Sequence, residues 1–226
     1  MRLYLSSYQI GDCGDELLRM MRRGRKAVVI PNASDEIDDD VRRNFINNGQ
    51  WYNQIDAFYQ MGIDASELDL KDFFGKPDKL RQALKGIDLV WVMGGNSFVL
   101  RNAMKRSGFD HILPELLKSD TFVYGGFSAG VVVLTPTLHG AELVDNANAK
   151  PELYSHEIIW DGMNLIPFCF VPHYKSDHPE SLLVEKMVDY YEDLGISYKT
   201  LRDGGVILIE NGVSTVKDRP LVGFER

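Results

Sequence analysis

The sequence predicts an α/β fold: a doubly wound, mostly parallel sheet with helices on both faces and a C-terminal β-hairpin. Apolar runs rich in β-branched residues occur at 3–7, 26–30, 87–92 and 121–124, and each has the length of a buried strand. Each run is followed by a segment whose apolar residues recur at helical spacing. Strands that alternate with helices are typical of right-handed βαβ units, whose parallel sheet is buried on both faces.

The predicted helices follow from stripes of apolar residues that each need a partner surface. These stripes are Leu17, Leu18 and Met21 in the first helix; Val41, Phe45, Tyr52, Ile55 and Tyr59 in the second; Leu80 and Leu84 in the third; and Leu183, Met187 and Tyr191 in a late helix. The acidic run at 35–40 precedes the second helix, where carboxylates stabilise the exposed N–H groups and the helix dipole. We interpret this run as a helix start rather than a cation site.

The pattern changes at the C-terminal end of the sequence. The segment 206–216 consists of two short apolar runs on either side of Asn211 and Gly212. Asn-Gly is the pair that favours a two-residue turn between antiparallel strands. The segment therefore predicts a β-hairpin.

Length and composition indicate one globular domain over residues 1–226. A chain of 226 residues should bury about 72% of the surface that the unfolded chain exposes, which is enough for one full core. Internal repeats, low-complexity tracts and linker-like runs are absent from the sequence. Cys13 and Cys169 form no CxxC motif and no disulfide framework, so we expect both to pack in the core.

Charge and hydropathy argue against two classes of partner. The net charge is -8 and no basic stripe with interleaved aromatic residues occurs, so we expect no nucleic acid to bind. The longest apolar stretches, such as 131–134 and 166–172, fall far short of the ~18 residues that a membrane-spanning helix needs. The start of the chain has no apolar h-region of a signal peptide, and we expect a cytoplasmic location.

The most informative motif is Gly126-x-Ser128-x-Gly130, which follows the predicted strand at 121–124. A serine on a sharp turn from strand to helix adopts strained backbone geometry, and the two glycines let the neighbouring strand and helix approach. This pattern is a nucleophile elbow, and it makes Ser128 the candidate nucleophile. The alternative is an ordinary turn that contains an incidental serine.

A nucleophilic serine also needs an oxyanion hole. The N–H of Ala129, at the start of the helix after the elbow, is one candidate donor. The N–H of Gly95 is the other, because the Gly94-Gly95 turn follows a strand and opens at the same edge of a parallel sheet. Asn96, the next residue, is the candidate substrate-binding side chain. A phosphate-binding loop is the alternative, but neither of its glycine patterns is completed here.

The general base of such a site is a histidine, and the sequence contains five. His173 ends the apolar run 168–172, so it would lie at the edge that carries the elbow if that strand is parallel. His178 lies in the polar segment that follows, and His111 begins a predicted helix. We therefore expect His173 to be the base, the alternative being a structural histidine bonded to the backbone.

The acid that would orient this imidazole has several candidates. They are Glu142, Asp145, Asp177, Glu180 and Asp203. Asp203 lies in a turn that leads into the predicted strand at 206, which would place its carboxylate next to the sheet edge. The alternative for Asp203 is a turn-forming Asp-Gly pair, and the choice of acid stays open.

At these residues the sequence resembles a known family. The matching blocks are Gly-Gly-Asn-Ser-Phe at 94–98, Gly-Phe-Ser-Ala-Gly at 126–130, Pro136-Thr137, Pro172-His173 and Leu-x-Asp-Gly at 201–204. Together and in this order they resemble the serine peptidase family of dipeptidase E (aspartyl dipeptidase) and cyanophycinase over nearly the whole chain. The resemblance implies a class I glutamine amidotransferase-like α/β fold in which serine replaces the usual elbow cysteine.

The resemblance also implies roles for individual residues. Ser128 would be the nucleophile, His173 the base, Gly95 and Ala129 the oxyanion donors, and Asp203 the acid. The family often has Glu where this sequence has Asp203.

Two departures from the family pattern limit what the resemblance implies. An Asp of dipeptidase E that has also been regarded as the triad acid is replaced here by Leu143, with Glu142 and Asp145 nearby. The dipeptidase also has an Arg, after the catalytic histidine, that suits an N-terminal Asp side chain. Between residues 174 and 201 this sequence has Lys but no Arg. A strict preference for Asp therefore does not carry over.

Three functions remain as hypotheses. The leading one is a serine exopeptidase that hydrolyses small peptides through an acyl-enzyme on Ser128 and needs no metal or cofactor. The second is a metal-dependent hydrolase, since His173, Asp177, His178 and Glu180 offer nitrogen and oxygen ligands, although without a regular ligand spacing. The third is a binding or sensing protein that keeps the fold without turnover.

Overall fold

A seven-stranded sheet forms the centre of the computed structural model, which describes residues 1–218. The strands of this sheet and of a small second sheet are β1 (Arg2–Ser6), β2 (Lys26–Ile30), β3 (Asp64–Glu67), β4 (Leu89–Val92), β5 (Val123–Phe127), β6 (Cys169–Val171), β7 (Tyr198–Thr200), β8 (Val206–Glu210) and β9 (Val213–Lys217). The large sheet has the order β3-β2-β4-β5-β1-β8-β9. Strands β1 to β5 pair in parallel, whereas β8 and β9 pair antiparallel. The predicted α/β class and mostly parallel sheet are confirmed.

Helices cover both faces of this sheet. They are α1 (Gly14–Met20), α2 (Asp39–Asn47), α3 (Gln54–Gln60), α4 (Pro77–Ala83), α5 (Ser97–Ser107), α6 (Phe109–Lys118), α7 (Ala129–Val132) and α8 (Ser181–Asp193). Tyr4 and Trp91 of the sheet pack with Leu17 of α1 and Phe58 of α3. The neighbouring strand residues, such as Leu3, point to the other face and pack with α5, α6 and α8, because successive strand side chains alternate.

The C-terminal hairpin has the predicted turn. Strands β8 and β9 are joined by Asn211 and Gly212, whose φ values are +52° and +80°. Positive φ at both central residues is the signature of a type I′ turn, which Asn and Gly adopt at low cost. The prediction of a hairpin here is confirmed.

The predicted second helix is wrong in its length, because the chain forms two helices, α2 and α3. Gly49 follows α2 with φ +69°, a left-handed conformation that ends a helix. The Asn53 side chain then accepts hydrogen bonds from two N–H groups in the first turn of α3. These two residues divide a stretch whose apolar spacing alone looks continuous.

Helix α2 binds the sheet edge through an ion pair rather than through its predicted apolar stripe. Asp38 caps the helix with its side chain, which confirms the acidic run as a helix start. Val41 is exposed, and the buried residue is Arg42. The Arg42 guanidinium donates two hydrogen bonds, of 2.9 and 3.0 Å, to the Glu67 carboxylate on β3.

Three strand placements differ from the prediction. The edge strand β3 was not predicted, since its sequence Asp-Ala-Ser-Glu is polar and its side chains are largely exposed. The strand before His173, β6, is not part of the large sheet. It pairs in parallel with β7, which was also not predicted, and the two form a separate sheet.

The large sheet brings four chain segments to one edge. Ser6 at the end of β1 lies opposite Phe127 at the end of β5, and Val92 at the end of β4 lies opposite Gly126. The antiparallel strand β8 begins at the same edge, where Val206 pairs with Ser6. The turns after β1, β4 and β5 and the turn before β8 therefore meet.

The structure also bears on the two cysteines and on membrane-spanning helices. Both cysteines are free thiols; Cys169 is buried, as expected for core packing, and Cys13 is half-buried. Over residues 1–218 no helix has the length and apolar character needed to cross a membrane.

Candidate active site

Ser128 lies between β5 and α7 in strained backbone geometry. Its φ and ψ are +48° and -120°, a region that residues with a side chain rarely adopt. A Cβ on Gly126 would lie 2.7 Å from the Val92 carbonyl oxygen, and a Cβ on Gly130 would overlap the same oxygen. The two glycines thus let β5 and α7 pack against β4, and the turn has the geometry of a nucleophile elbow.

The Gly94-Gly95 turn lies directly against this elbow. A Cβ on Gly94 would lie 3.0 Å from the Ser128 Cβ. Gly95 has φ +137°, and its backbone approaches the Ala33 carbonyl so closely that a Cβ would lie 2.5 Å from that oxygen. Within residues 1–218 the N–H groups of Gly95 and Ala129 donate to no protein atom, so both are available to a substrate oxygen.

Asn96 holds the turn in place with its side chain. Its Oδ1 accepts hydrogen bonds from the N–H groups of Phe98 and Val99 at the start of α5. Its Nδ2 donates to Glu36 Oε2 at 2.8 Å and to the Asn146 carbonyl at 2.9 Å. Contact of this amide with a substrate would replace one of these bonds, so its predicted role in substrate binding stays a prediction.

The small sheet brings His173 beside Asp203. Parallel pairing sets Val171 of β6 opposite Thr200 of β7, so the segments that follow the two strands run side by side. The distance from His173 Nδ1 to Asp203 Oδ1 is 2.8 Å. The His173 side chain is buried, and its φ is +57°, in the left-handed region. A hydrogen bond of this kind fixes the orientation and the tautomer of an imidazole.

Ser7, which directly follows β1, connects these two residues. Its hydroxyl donates to Asp203 Oδ1 at 2.8 Å and accepts from the His173 N–H at 2.8 Å. Ser176 accepts from the Asp203 N–H at 2.8 Å. Burial by itself would raise the pKa of Asp203, but the hydrogen bonds from His173 and Ser7 hold that pKa below its ordinary value. The carboxylate is therefore ionised at neutral pH.

Sequence reasoning missed Ser7 and Ser176. The signal available for Ser7 was its position, since it is a small polar residue that ends a buried strand at the sheet edge where ligands bind. Ser176 lies in a polar loop and carries no such signal.

His178 and Tyr8 pack around the His173 ring. The two imidazole rings stack with their centroids 3.6 Å apart and their planes at 7°. Tyr8 contacts both rings edge-on, at 5.7 Å from His173 and 5.4 Å from His178. Burial and the neighbouring His173 lower the pKa of His178, which favours its neutral form.

The second nitrogen of His173 lies near Glu180. His173 Nε2 is 4.0 Å from Glu180 Oε2, and Glu180 and Ser128 line the same small cavity. Within the described part of the chain no hydrogen bond joins the Ser128 hydroxyl to His173. Such a bond commonly tightens only when substrate is present.

Two of the other candidate acids, Glu142 and Asp145, bond to backbone N–H groups, whereas Glu180 lies 4.0 Å from His173 Nε2. Glu142 accepts a hydrogen bond from the Gly140 N–H at 2.6 Å. Asp145 accepts one from the Ser97 N–H at 2.8 Å, at the start of α5. Burial raises the pKa of Asp145 to about 6; the bond from Ser97 opposes this rise, and the charges of Glu180 and Glu36 add to it.

The cluster proposed as a metal site is only partly assembled. Ligand atoms of His173, His178 and Glu180 lie within 4.8 Å of one another, and Asp177 is not among them. An imidazole binds an ion in the plane of its ring, at a distance of about 2.0–2.1 Å for zinc. Two nearly parallel rings 3.6 Å apart cannot both hold one ion in this way. The stacked arrangement therefore does not suit a shared metal ion.

Two open cavities flank Tyr8. One, of about 560 Å³, is lined by the Gly94–Asn96 turn, Phe127 and an aromatic segment at residues 51 and 52. The other, of about 870 Å³, is lined mainly by residues 8–15 and reaches the site only at Asp203 and Gly204. The smaller cavity is the one that adjoins the available N–H group of Gly95.

Known proteins similar to this chain support a common family. The profile of peptidase family S51 matches residues 6–216. An uncharacterized peptidase of Listeria innocua is 30% identical over 139 residues, which are 61% of this chain and 63% of that protein. A protein of Drosophila melanogaster named a probable alpha-aspartyl dipeptidase is 28% identical over 160 residues, which are 69% of this chain and 61% of that protein. The matched segments thus span less than two thirds of each relative's length.

A solved structure has the same fold. It is a candidate peptidase E from Listeria monocytogenes, with a TM-score of 0.75, 23% identity and coverage of 96% of this chain and 98% of that one. The fold expected from the sequence and the resemblance stated from its five blocks are confirmed. Because the family profile extends from the end of β1 into β9 and includes all four turns that meet at this edge of the sheet, the chain belongs to peptidase family S51.

Proposed function

We propose that this chain is a serine-type peptidase that hydrolyses small peptides through an acyl-enzyme on Ser128. The observation that carries the proposal is the 2.8 Å hydrogen bond between His173 Nδ1 and the ionised Asp203, next to a strained serine elbow. A carboxylate, an imidazole and a serine assembled in this order form the arrangement that activates a serine for acyl transfer. Membership of a peptidase family supports the same reaction class.

In the proposed mechanism the Ser128 hydroxyl attacks the carbonyl carbon of the scissile peptide bond. His173 Nε2 takes the hydroxyl proton, and Asp203 stabilises the imidazolium that forms. The negative charge on the carbonyl oxygen is held by the N–H groups of Gly95 and Ala129. The tetrahedral intermediate then expels the amine, which takes the proton from His173, and a water molecule hydrolyses the acyl-enzyme by the same steps.

The finer assignment is an exopeptidase of the dipeptidase type. The Drosophila relative is named for action on alpha-aspartyl dipeptides, and this supports small peptides as the substrate class here. We do not extend a strict preference for Asp to this chain. The described residues that line the two open cavities include no Arg or Lys that could pair with an Asp side chain of the substrate.

The experiment compares Ser128→Ala with Ser214→Ala on a library of dipeptides with free and blocked amino termini. Ser214 lies on the exposed strand β9 and serves as the matched control. We expect Ser128→Ala to lower turnover by a factor on the order of 10⁶, as loss of a triad nucleophile does, and to abolish labelling by a fluorophosphonate. Ser214→Ala should retain both.

Three outcomes would contradict the proposal. Substantial hydrolysis by Ser128→Ala would exclude the acyl-enzyme on this residue. Activity that is lost with EDTA and returns with zinc would favour the metal-dependent hydrolase. If the folded protein with Ser128 intact is not labelled by the fluorophosphonate and hydrolyses no member of the library, the hypothesis of a binding or sensing protein would be favoured.

A further inference from the structure

The cavity of about 560 Å³ beside the Gly94–Asn96 turn has mainly apolar and aromatic walls. The large side chains in these walls are Tyr8, Ile37, Trp51, Tyr52, Met93 and Phe127. The volume lies within the range of ~300–1,000 Å³ that is typical of small-molecule sites. It has room for a bulky side chain of a peptide together with part of the backbone.

This cavity adjoins the proposed reaction centre. Gly94 lies in the wall and approaches Ser128, since a Cβ on this glycine would be 3.0 Å from the Ser128 Cβ. Tyr8, which also lines the cavity, contacts His173 with ring centroids 5.7 Å apart. A peptide whose carbonyl oxygen accepts from the Gly95 N–H therefore places an adjacent side chain in this cavity.

The charges around the cavity are negative. Among the described residues that line it, Glu36 is the one with a formal charge, and its carboxylate accepts a hydrogen bond from Asn96. Asp145 and Glu180 line the small cavity that Ser128 also lines. An acidic substrate side chain here would meet the like charge of Glu36, and the described residues that line the cavity include no Lys or Arg to compensate it.

We infer that this cavity selects peptides with a large apolar side chain next to the scissile bond and rejects peptides with an acidic one. The inference rests on the proposed peptidase activity and names its substrate class. Trp51 supplies an exposed aromatic surface for the apolar side chain, and it is held by stacking on Phe45 at 5.1 Å. Glu36 supplies the repulsion.

The test uses two series of dipeptide amides, X-Leu-NH₂ and Leu-X-NH₂, with Asn, Asp, Leu and Phe at position X. The amide removes the C-terminal charge, and Asn differs from Asp mainly in charge. We expect kcat/KM for Phe or Leu to exceed that for Asn by at least about tenfold in one series, as burial of a large apolar side chain predicts. Asp should be the poorest substrate in both series.

Two variants assign these preferences to residues. Trp51→Ala should lower kcat/KM for the Phe substrate about tenfold, through KM, and change the Asn substrate much less. Tyr59→Ala, which removes an exposed aromatic ring of α3 that lies outside the cavity, is the matched control and should change neither. Glu36→Gln keeps a hydrogen-bond acceptor for Asn96 but removes the negative charge. It should therefore narrow the difference in kcat/KM between the Asp and Asn substrates.

Failure of this inference is distinct from failure of the proposed function. Hydrolysis that depends on Ser128 but prefers Asp in either series would overturn the inference and leave the peptidase activity intact. An equal fall in kcat/KM for the Phe and Asn substrates in Trp51→Ala would also overturn it. So would a ratio of kcat/KM for Asp to kcat/KM for Asn that is unchanged in Glu36→Gln. Absence of Ser128-dependent hydrolysis both in these series and in the dipeptide library would refute the proposed function itself.

Discussion

Replacement of Asp203 by Asn should lower turnover by about 10³ to 10⁴ with little change in KM. The carboxylate faces the imidazolium that forms during attack, with 2.8 Å between Oδ1 and Nδ1. Opposite charges about 4 Å apart at an effective dielectric constant of about 20 interact by about 4 kcal/mol, which corresponds to about 10³ in rate. The Asn amide can also favour the wrong imidazole tautomer, and the same substitution in a serine protease triad costs roughly 10⁴.

The assay is the initial rate of peptide hydrolysis under saturating substrate, with the fold checked by circular dichroism. Asp145→Asn and Glu142→Gln are the matched controls, because these carboxylates bond to the N–H groups of Ser97 and Gly140 and not to the imidazole. We expect each control to lose at least tenfold less activity than Asp203→Asn. The opposite order would place the acid on the segment after the elbow and refute this assignment of Asp203.

Two further predictions concern stability and positioning. The pKa of Asp145 in the folded state, about 6, lies above its ordinary value of 3.8, so its contribution to stability is complete below pH 3.8 and is lost as pH rises through 6. Asp145→Asn should therefore raise the free energy of unfolding by up to about 3 kcal/mol at pH 8 and by less at pH 5, as measured by urea denaturation; a variant less stable at pH 8 would contradict this. Ser7→Ala removes the hydroxyl that bonds Asp203 and the buried His173 N–H, so we expect about tenfold lower turnover and a stability loss of about 1–3 kcal/mol. Ser7→Thr keeps the hydroxyl and should restore turnover. A Thr variant that turns over as slowly as the Ala variant would contradict the proposal that the hydrogen bonds of the Ser7 hydroxyl support turnover.

Local rules predicted several parts of this protein well. The elbow was predictable because the turn requires glycine at 126 and 130, and both glycines can be read from the sequence. The structure shows that the Val92 backbone leaves no space for a side chain at either position. The hairpin was predictable because Asn211 and Gly212 tolerate positive φ better than other residues do.

Other parts depended on contacts that a local pattern does not contain. Apolar spacing predicted one helix where Gly49 and Asn53 separate two, because periodicity does not register a short break between segments of the same phase. The burial of Arg42 depends on Glu67, which lies on an edge strand too polar to be predicted. In the second case a neighbour in space overrides the local preference.

The candidate acid beside His173 is the clearest case in which the sequence alone left several residues possible. From the sequence alone, Ser128 and His173 could be named as candidates from their motif and strand end, whereas Glu142, Asp145 and Asp203 all remained possible partners of the imidazole. Pairing of β6 with β7 resolves the geometry, since it places two segments 30 residues apart side by side and leaves Asp203 within hydrogen-bond distance of His173. Strand pairing depends on backbone hydrogen bonds between distant segments, and these carry no signature in the side chains that they bring together.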